Sequence, residues 1–568
     1  MADKSKRSDP LLDHLVNEGV ILGEQLAEVL DEHNRTGRSV HRILLDQGIV
    51  SEDELLNQVA TVMGTEVIDL SSLPIDEETY RLIPPSTAKM YNVVPVARTA
   101  TGIQLAVGDI PTPEIEDELK WLLSTDVTFV VARPKAIEEH ILKHYGDDNQ
   151  SVNDILNALD TAGETGIPRK EEDLSGDELQ AEASKAPVVR FVNLVLYQAV
   201  QDRASDIHFE PFEHEFRIRY RVDGALYEMA PPPKHLALPV ISRVKVISGL
   251  DISERRLPQD GRIQLNIGGK SVDFRVSTLP TQFGESVVLR VLDQSAVGLK
   301  LENLGLPADV SQWFGDDIAK PNGIILVTGP TGSGKTTTLY AALDRLNTVG
   351  DKLLTAEDPV EYDVDGIVQV PVDEKIGVTF ARILRAFLRQ DPDIILVGEI
   401  RDLETAQIAI QASLTGHLVF STLHTNDASG AVTRLVDMNI EPFLIASTLE
   451  SVLGTRLVRT ICKNCRTPYT PEDNILKLLN LTRKDVGDRP FYYGAGCPTC
   501  NQTGYKGRRG IYEYLRMSDP IRDLVAQKRP TVVIRDKARQ LGMRTLREDG
   551  VRCVLDGYTT VEEVLKYT

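Results

Sequence analysis

The chain has 568 residues, enough for about three to five domains, and its 42% hydrophobic and 26% charged content excludes wholesale disorder and collagen-like repeats. A net charge of −21 repels phosphate backbones, and 5% aromatic residues offer few stacking surfaces, which argues against a primary nucleic-acid binder unless basic residues cluster. No run of about 18 apolar residues occurs, and Met1–Pro10 leads into no apolar signal core, so the chain is expected in the cytoplasm.

Residues 1–64 form an expected helical domain. Leu11, Leu15, Leu26 and Leu30 fall at helical spacing, and Ser51 with Glu54 reads as a capping box. A repeat with a 29-residue offset pairs Leu15 with Leu44, Val16 with Leu45, Gly19 with Gly48, Leu26 with Leu55 and Leu30 with Val59. Two similar helical hairpins explain it. Residues 65–145 alternate short apolar runs (93–97, 127–132) with helical stretches, a small α/β domain. Residues 146–185, with 11 acids and 3 bases, have the composition of a mobile linker carrying at most a short helix at Asp154–Leu159.

Order resumes at 186–300 as an α+β domain: a helix over Pro187–Asp202, then strands at 216–222, 273–279 and 287–292. Residues 301–457 begin with the buried strand 324–328 and read as a larger α/β domain. A cysteine-bearing module follows at 458–508, and helices close the chain at 509–568.

The sharpest signal is Gly329-Pro330-Thr331-Gly332-Ser333-Gly334-Lys335-Thr336, followed by Thr337. It matches GxxxxGK[ST], with an apolar strand before it and a helix-prone segment after. Glycines let backbone N–H groups wrap phosphates at a helix N-terminus, Lys335 reaches the β- and γ-phosphates, and the Thr336 hydroxyl suits Mg²⁺. A chance glycine-rich turn is the bland alternative, and the two flanks argue against it. Acids to handle metal and water lie downstream: Glu357, Asp358 and Glu361 in TAEDPVEY, and Glu399 at the end of the strand IILVG. A third strand is flanked by His417 and His424. The carboxyl ends of parallel strands are where such sites are built.

All five cysteines follow residue 460. Cys462/Cys465 and Cys497/Cys500 are two CxxC pairs separated by 31 residues, four thiolates for a closed structural Zn²⁺ site with no acid or histidine beside them. Cys553 reads as a buried apolar residue.

These segments resemble the secretion and pilus-assembly ATPases, the general secretion pathway protein E and type IV pilus assembly ATPase type. The likeness runs through RASDIHFEP (203–211), RRLPQDGRI (255–263), the P-loop, TAEDPVEY (355–362), FLRQDPDIILVGEIRDLETA (387–406), TGHLVFSTLHTNDA (415–428) and both CxxC pairs. It implies a homohexameric ATP hydrolase of α/β class: a RecA-like P-loop ATPase domain, a PAS-like N2 domain, a four-cysteine zinc insertion, and N-terminal helical plus α/β domains. It further implies Glu357 as the acid turned toward the hydrolytic water, Glu399 as the acid of the Walker B motif, and His417 and His424 near the γ-phosphate. Arg275 and Arg290 would reach nucleotide across a subunit interface, with a similar role for Arg385 and Arg389. Gly398 stands where many P-loop proteins carry an Mg²⁺-holding Asp, so that assignment does not transfer. Type IV pilus assembly or type II secretion is the implied work, at the inner membrane through a platform protein and a cytoplasmic recruiting protein. Some relatives bind cyclic di-GMP on a repeat like that of residues 11–63. Here Pro10 and Ser39 replace Arg, Leu12 and His41 replace Gly, and His33 and Val62 replace Gln, so the scaffold is kept and the contacts are lost. Two other readings compete: a nucleic-acid translocating or DNA-uptake motor, and a nucleotide-gated regulator with little turnover.

Overall fold

The structure is a computed structural model and describes residues 10–21, 25–26, 29, 43–45, 47–99, 101–123, 125–145, 176–229, 231–267, 270–292 and 300–568. The helix expected at Asp154–Leu159 lies outside these residues, as do His33, Ser39 and His41 of the repeat. The chain divides into two units, residues 1–295 and 296–568.

In the first unit, helices α1 (Pro10–Asn17) and α2 (Glu52–Met63) belong to the repeat. Leu15 and Leu44 are both fully buried, and Gly19 (φ 72°) and Gly48 (φ 64°) each end a helical turn in the left-handed region. The same hydrogen bond closes both turns, Val20 N–H to Leu15 O at 2.9 Å and Ile49 N–H to Leu44 O at 3.1 Å. The 29-residue offset thus encodes one core position and one helix stop, made twice. The Ser51 hydroxyl caps α2 by accepting from the Glu54 amide at 3.4 Å.

Strands β1 (Val94–Arg98), β2 (Gly102–Val107) and β3 (Asp126–Val131) form a sheet in that order, β2 and β3 parallel, accompanied by α3 (Pro113–Leu123) and α4 (Pro134–His144). Part of the expected linker is ordered: Gly176–Ala183 is a helix, α5, with Leu179 and Ala183 buried. Two apolar side chains four residues apart suffice to dock one helical face even in an acidic segment.

Helix α6 (Ala186–Gln201) leads into β4 (Asp206–Pro211), β5 (Phe216–Val222), β6 (Ala225–Glu228), helix α7 (Ala237–Ile247), β7 (Gln259–Ile267), β8 (Lys270–Thr281) and β9 (Gly284–Leu292). The antiparallel sheet has the order β6-β5-β4-β9-β8-β7. Alternation sorts its faces: Phe216, Ile218 and Tyr220 join the core with Phe191 and Val244 of the helices, while the intervening arginines point the other way. One charged pair sits inside. Lys245 Nζ lies 2.8 Å from Glu285 Oε1 with both side chains at most 5% exposed, and it also donates to Glu254 O at 2.7 Å.

The second unit opens with α8 (Ala308–Ile318), β10 (Gly323–Thr328), α9 (Lys335–Leu346), β11 (Leu353–Glu357), β12 (Ile367–Pro371), α10 (Phe380–Phe387), β13 (Ile394–Val397), α11 (Leu403–Leu414) and β14 (Leu418–Leu423). It continues with α12 (Ala428–Asp437), α13 (Pro442–Thr448), β15 (Leu449–Ile461), β16 (Arg466–Tyr469), α14 (Asp473–Leu478), β17 (Phe491–Gly494), β18 (Tyr505–Arg516), α15 (Asp519–Ala526), α16 (Thr531–Gln540), α17 (Leu546–Leu555) and α18 (Val561–Tyr567). The main sheet has the order β12-β11-β13-β14-β10-β15-β18, parallel except for β18. In β10, Ile324 and Leu326 enter one core with α10, α11 and α12, whereas Ile325 and Val327 enter another with α8 and α9. Helices on both faces therefore bury the central strand completely, as its unbroken apolar run requires.

The expected cuts at 457/458 and 508/509 fall inside this sheet. β15 runs on to Ile461, paired with β18 as far as Tyr505. The cysteine module is only the excursion between them, with its own β16–β17 ribbon and a small core of Leu476, Leu479, Val486 and Phe491 against Val551, Val554, Val561 and Val564 of α17 and α18.

Candidate active site and metal centre

Three strand ends and one helix start meet at a cavity of about 490 Å³ in the second unit, within the roughly 300–1,000 Å³ of small-molecule sites. Its floor is the turn from β10 to α9. Gly329 (φ 153°) has no room for a side chain, since a Cβ there would lie 2.4 Å from Ser333 Oγ and 2.6 Å from Thr455 O. Gly334 (φ 92°) occupies the N-cap of α9 and supplies no side-chain cap, leaving the first-turn amides for an outside anion. The Lys335 ammonium folds over the loop, donating to Gly329 O at 2.9 Å and Pro330 O at 3.0 Å. Burial pulls its pKa down, and the charge of Glu399 opposes that fall.

Thr331, Gly332, Gly334, Lys335, Thr336 and Thr337 line the cavity, and Glu357, Glu399 and His424 share it. Gly329, Pro330 and Ser333 do not line it; Ser333 is buried beneath the loop, where its hydroxyl accepts from Thr455 Oγ1 at 3.1 Å. Glu357, at the end of β11, is 4% exposed. It accepts from Tyr340 Oη at 2.5 Å, Thr355 Oγ1 at 2.6 Å and Gln369 Nε2 at 3.1 Å. Glu399 follows β13, whose end is fastened on both sides: Gly398 N–H donates to Ala356 O at 2.8 Å, and Thr422 Oγ1 donates to Gly398 O at 2.7 Å. His424 Nε2 stands 3.3 Å from Glu399 Oε2, and Arg401 binds Glu399 Oε1, a bond that raises the Arg401 pKa. Thr425 ties the histidine's loop to β10, its hydroxyl 2.6 Å from that of Thr328.

A Cβ at position 398 would meet Ala356 O at 3.2 Å, a tight contact, and Phe380 Cε1 at 3.5 Å, an ordinary one.

His417 is not brought to the cavity. It precedes β14 while His424 follows it, so a six-residue strand separates them by about 20 Å. His417 is held at the amino end by Ala412 O at 2.8 Å, away from the cavity. Arg385 and Arg389 also lie outside the lining; Arg385 pairs with Glu404 on the surface, and Arg389 Nη1 donates to Arg385 O at 2.8 Å. Arg275 and Arg290 belong to the first unit, as cross-strand neighbours on β8 and β9. Arg290 Nε lies 3.2 Å from Asp206 Oδ1. The register continues the row on both sides, to Arg221 through Asp206 and to Arg262 through Arg275. Sequence reasoning gave no role to Arg401, Arg508 or Tyr340, all of which line the cavity. Arg401 had a signal in its place two residues after Glu399; Arg508 and Tyr340 arrive by tertiary folding and had none.

The four thiols converge. All Sγ atoms of Cys462, Cys465, Cys497 and Cys500 lie within 4.8 Å of one another, with separations of 3.8 Å (462–497), 3.8 Å (465–500) and 3.7 Å (497–500). A tetrahedron with metal–sulfur bonds of about 2.3 Å has edges of about 3.8 Å, so the cluster fits one metal ion. Burial pushes the Cys500 thiol up, but the Cys497 and Gly504 amides, each donating at 3.3 Å, outweigh it and bring it to about 6. Burial, with the neighbouring thiols, pushes Cys465 to about 12. Cys553 is fully buried, as expected.

Residues 181–566 match the family described as "Type II/IV secretion system protein", and residues 63–151 match the MshEN domain. The chain is 43% identical over 556 residues to the type IV pilus assembly ATPase PilB of Myxococcus xanthus (strain DK1622), covering 98% of each chain. It is 55% identical over 457 residues to the type II secretion system protein HxcR of Pseudomonas aeruginosa, covering 80% of this chain and 88% of that one. Among solved structures, the ATPase DotB of Legionella pneumophila superposes with a TM-score of 0.50 at 21% identity, covering 70% of this chain and 97% of that chain, a likeness of fold.

Proposed function

The chain belongs to the type II/IV secretion system protein family, and from that premise we propose that it is the motor ATPase of a type IV pilus assembly or type II secretion machine. It is an ATP hydrolase that uses Mg²⁺. The observation that carries the reading is the convergence of Lys335, Thr336, Glu357, Glu399 and His424 on one cavity at the carboxyl ends of parallel strands.

In the proposed mechanism the α9 amides and Lys335 hold the β- and γ-phosphates, and the Thr336 hydroxyl holds Mg²⁺. When bound, the ion would neutralise charge developing on the phosphates. Glu399 is the acid that would help hold the ion, His424 faces the γ-phosphate side of the cavity, and Glu357 orients the attacking water. Arg275 and Arg290, with Arg385 and Arg389, are proposed as cations presented to the nucleotide of a neighbouring copy in a homohexamer. Domain orientation would then follow nucleotide state, which turns hydrolysis into movement. His417 is not part of this proposal.

The four-cysteine centre is proposed to hold Zn²⁺, since a tetrahedral all-thiolate set favours it over harder cations. Among the described residues no helix is long and apolar enough to cross a membrane. Peripheral residence at the inner membrane would come through an integral platform protein and a cytoplasmic recruiting protein. The relatives' names support secretion and pilus work over nucleic-acid translocation. Electron microscopy of a deletion strain complemented with wild type or Lys335→Ala tests it. Surface pili restored only by wild type assign pilus assembly. Pili in every strain, with secreted proteins lost without the wild type, assign type II secretion. Neither defect overturns the proposal.

A further inference from the structure

The Glu357 carboxylate is buried in a way that leaves it little freedom. A carboxylate has about four acceptor positions. Oε1 takes two donors, Thr355 Oγ1 at 2.6 Å and Gln369 Nε2 at 3.1 Å, and Oε2 takes one, Tyr340 Oη at 2.5 Å. One acceptor position is left, on Oε2, in a residue that lines the cavity.

The three donors come from three different elements. Thr355 stands two residues before Glu357 on β11, so strand alternation puts both on one side. Tyr340 comes from α9, five residues beyond Lys335 on the same helix. Gln369 comes from the neighbouring strand β12 and is itself fixed: its amide donates to Tyr340 Oη at 3.1 Å and Tyr362 O at 2.9 Å, and its Oε1 accepts from the Val364 amide at 2.9 Å. Tyr340 and Gln369 are thus each held by another partner as well, and α9 carries both the phosphate-binding lysine and one of the three donors.

We infer that Tyr340, Thr355 and Gln369 are positioning residues for hydrolysis: they fill three acceptor positions of Glu357 and leave the one on Oε2 for the attacking water. The inference rests on the proposed role of Glu357 as the water-orienting acid. Loss of one donor frees the carboxylate to rotate away from its position. Misplacement on the ångström scale costs roughly a hundredfold in rate while leaving binding of the phosphates untouched.

The test is steady-state ATP hydrolysis by the purified full-length protein, comparing wild type with Tyr340→Phe, Thr355→Val, Thr355→Ser and Glu357→Gln. The expected result is a fall in kcat of about tenfold to a hundredfold for Tyr340→Phe and Thr355→Val, KM for ATP holding within about twofold, and recovery in Thr355→Ser, which keeps the donor. Should Tyr340→Phe fail to fold, the Thr355 pair carries the test alone. Wild-type kcat in Thr355→Val, an equal loss in Thr355→Ser, or kcat and KM changing together overturns the inference. An inactive Glu357→Gln beside a fully active Thr355→Val overturns the inference and leaves the role of Glu357 standing. A fully active Glu357→Gln removes that role, and the inference with it.

Discussion

Stripping the metal from the four-cysteine centre should loosen one module and spare the rest of the unit. The Sγ separations of 3.7–3.8 Å already have the edge length of a thiolate tetrahedron, so bound metal closes a loop with little rearrangement. Structural zinc contributes an apparent binding free energy of about 10–16 kcal/mol that is realised only in the folded site. Without it, residues 462–504 retain the small apolar core of Leu476, Leu479, Val486 and Phe491 against α17 and α18. The CxxC turns should therefore open while that core and the main sheet persist. Cys500 is the sharpest single perturbation, because two backbone amides donate to its sulfur as well. Elemental analysis of protein purified without chelator should find one zinc per chain, and Cys500→Ser should lower metal affinity at least about tenfold. Limited proteolysis should then cut within 462–504 while nucleotide binding is kept. Metal-free protein, or full zinc retention in Cys500→Ser, would refute the reasoning.

Two further expectations concern stability. Lys245→Met leaves the Glu285 carboxylate buried without its cation and should cost about 3–5 kcal/mol, read as a lowered unfolding midpoint of the first unit in calorimetry. The Arg544 guanidinium beside Asp309, with the Val310 amide, holds that carboxyl below its ordinary 3.8. Its stabilisation is therefore present above about pH 3.8 and lost as pH falls through the depressed value. Both partners are about a third exposed, so the contribution stays below about 1 kcal/mol. Arg544→Gln should lower stability at pH 7 by that small amount, and wild type and variant should converge in denaturant titrations once pH falls below the depressed value.

Features encoded locally were legible in the sequence. The strands 216–222, 324–328 and 394–397, the loop 329–334 and the convergence of two CxxC pairs depend on alternation, glycine spacing and short-range ligand geometry. The repeat of residues 11–63 was visible because each copy needs the same helix-stopping glycine. Features set by tertiary placement were not. His417 and His424 are seven residues apart in one motif, yet a strand lies between them and sends them to opposite ends of the sheet. The module boundaries were misplaced because β15 and β18 continue each other's pairing, a fact no local window contains. Tyr340 and Gln369 reach Glu357 from 17 and 12 residues away, through a helix and an adjacent strand. Their side chains look like ordinary core and edge residues until the sheet brings them together.

The central claim is that the cavity hydrolyses ATP with Glu399 acting after binding. The most direct measurement compares nucleotide binding and ATP hydrolysis in wild type and Glu399→Gln under the same conditions. Glutamine keeps the volume of a side chain that is 17% exposed, and it removes the charge facing His424 and Arg401. The account expects ATP binding within about threefold of wild type and turnover lowered about 10²- to 10⁴-fold. Near-normal turnover in Glu399→Gln would contradict it.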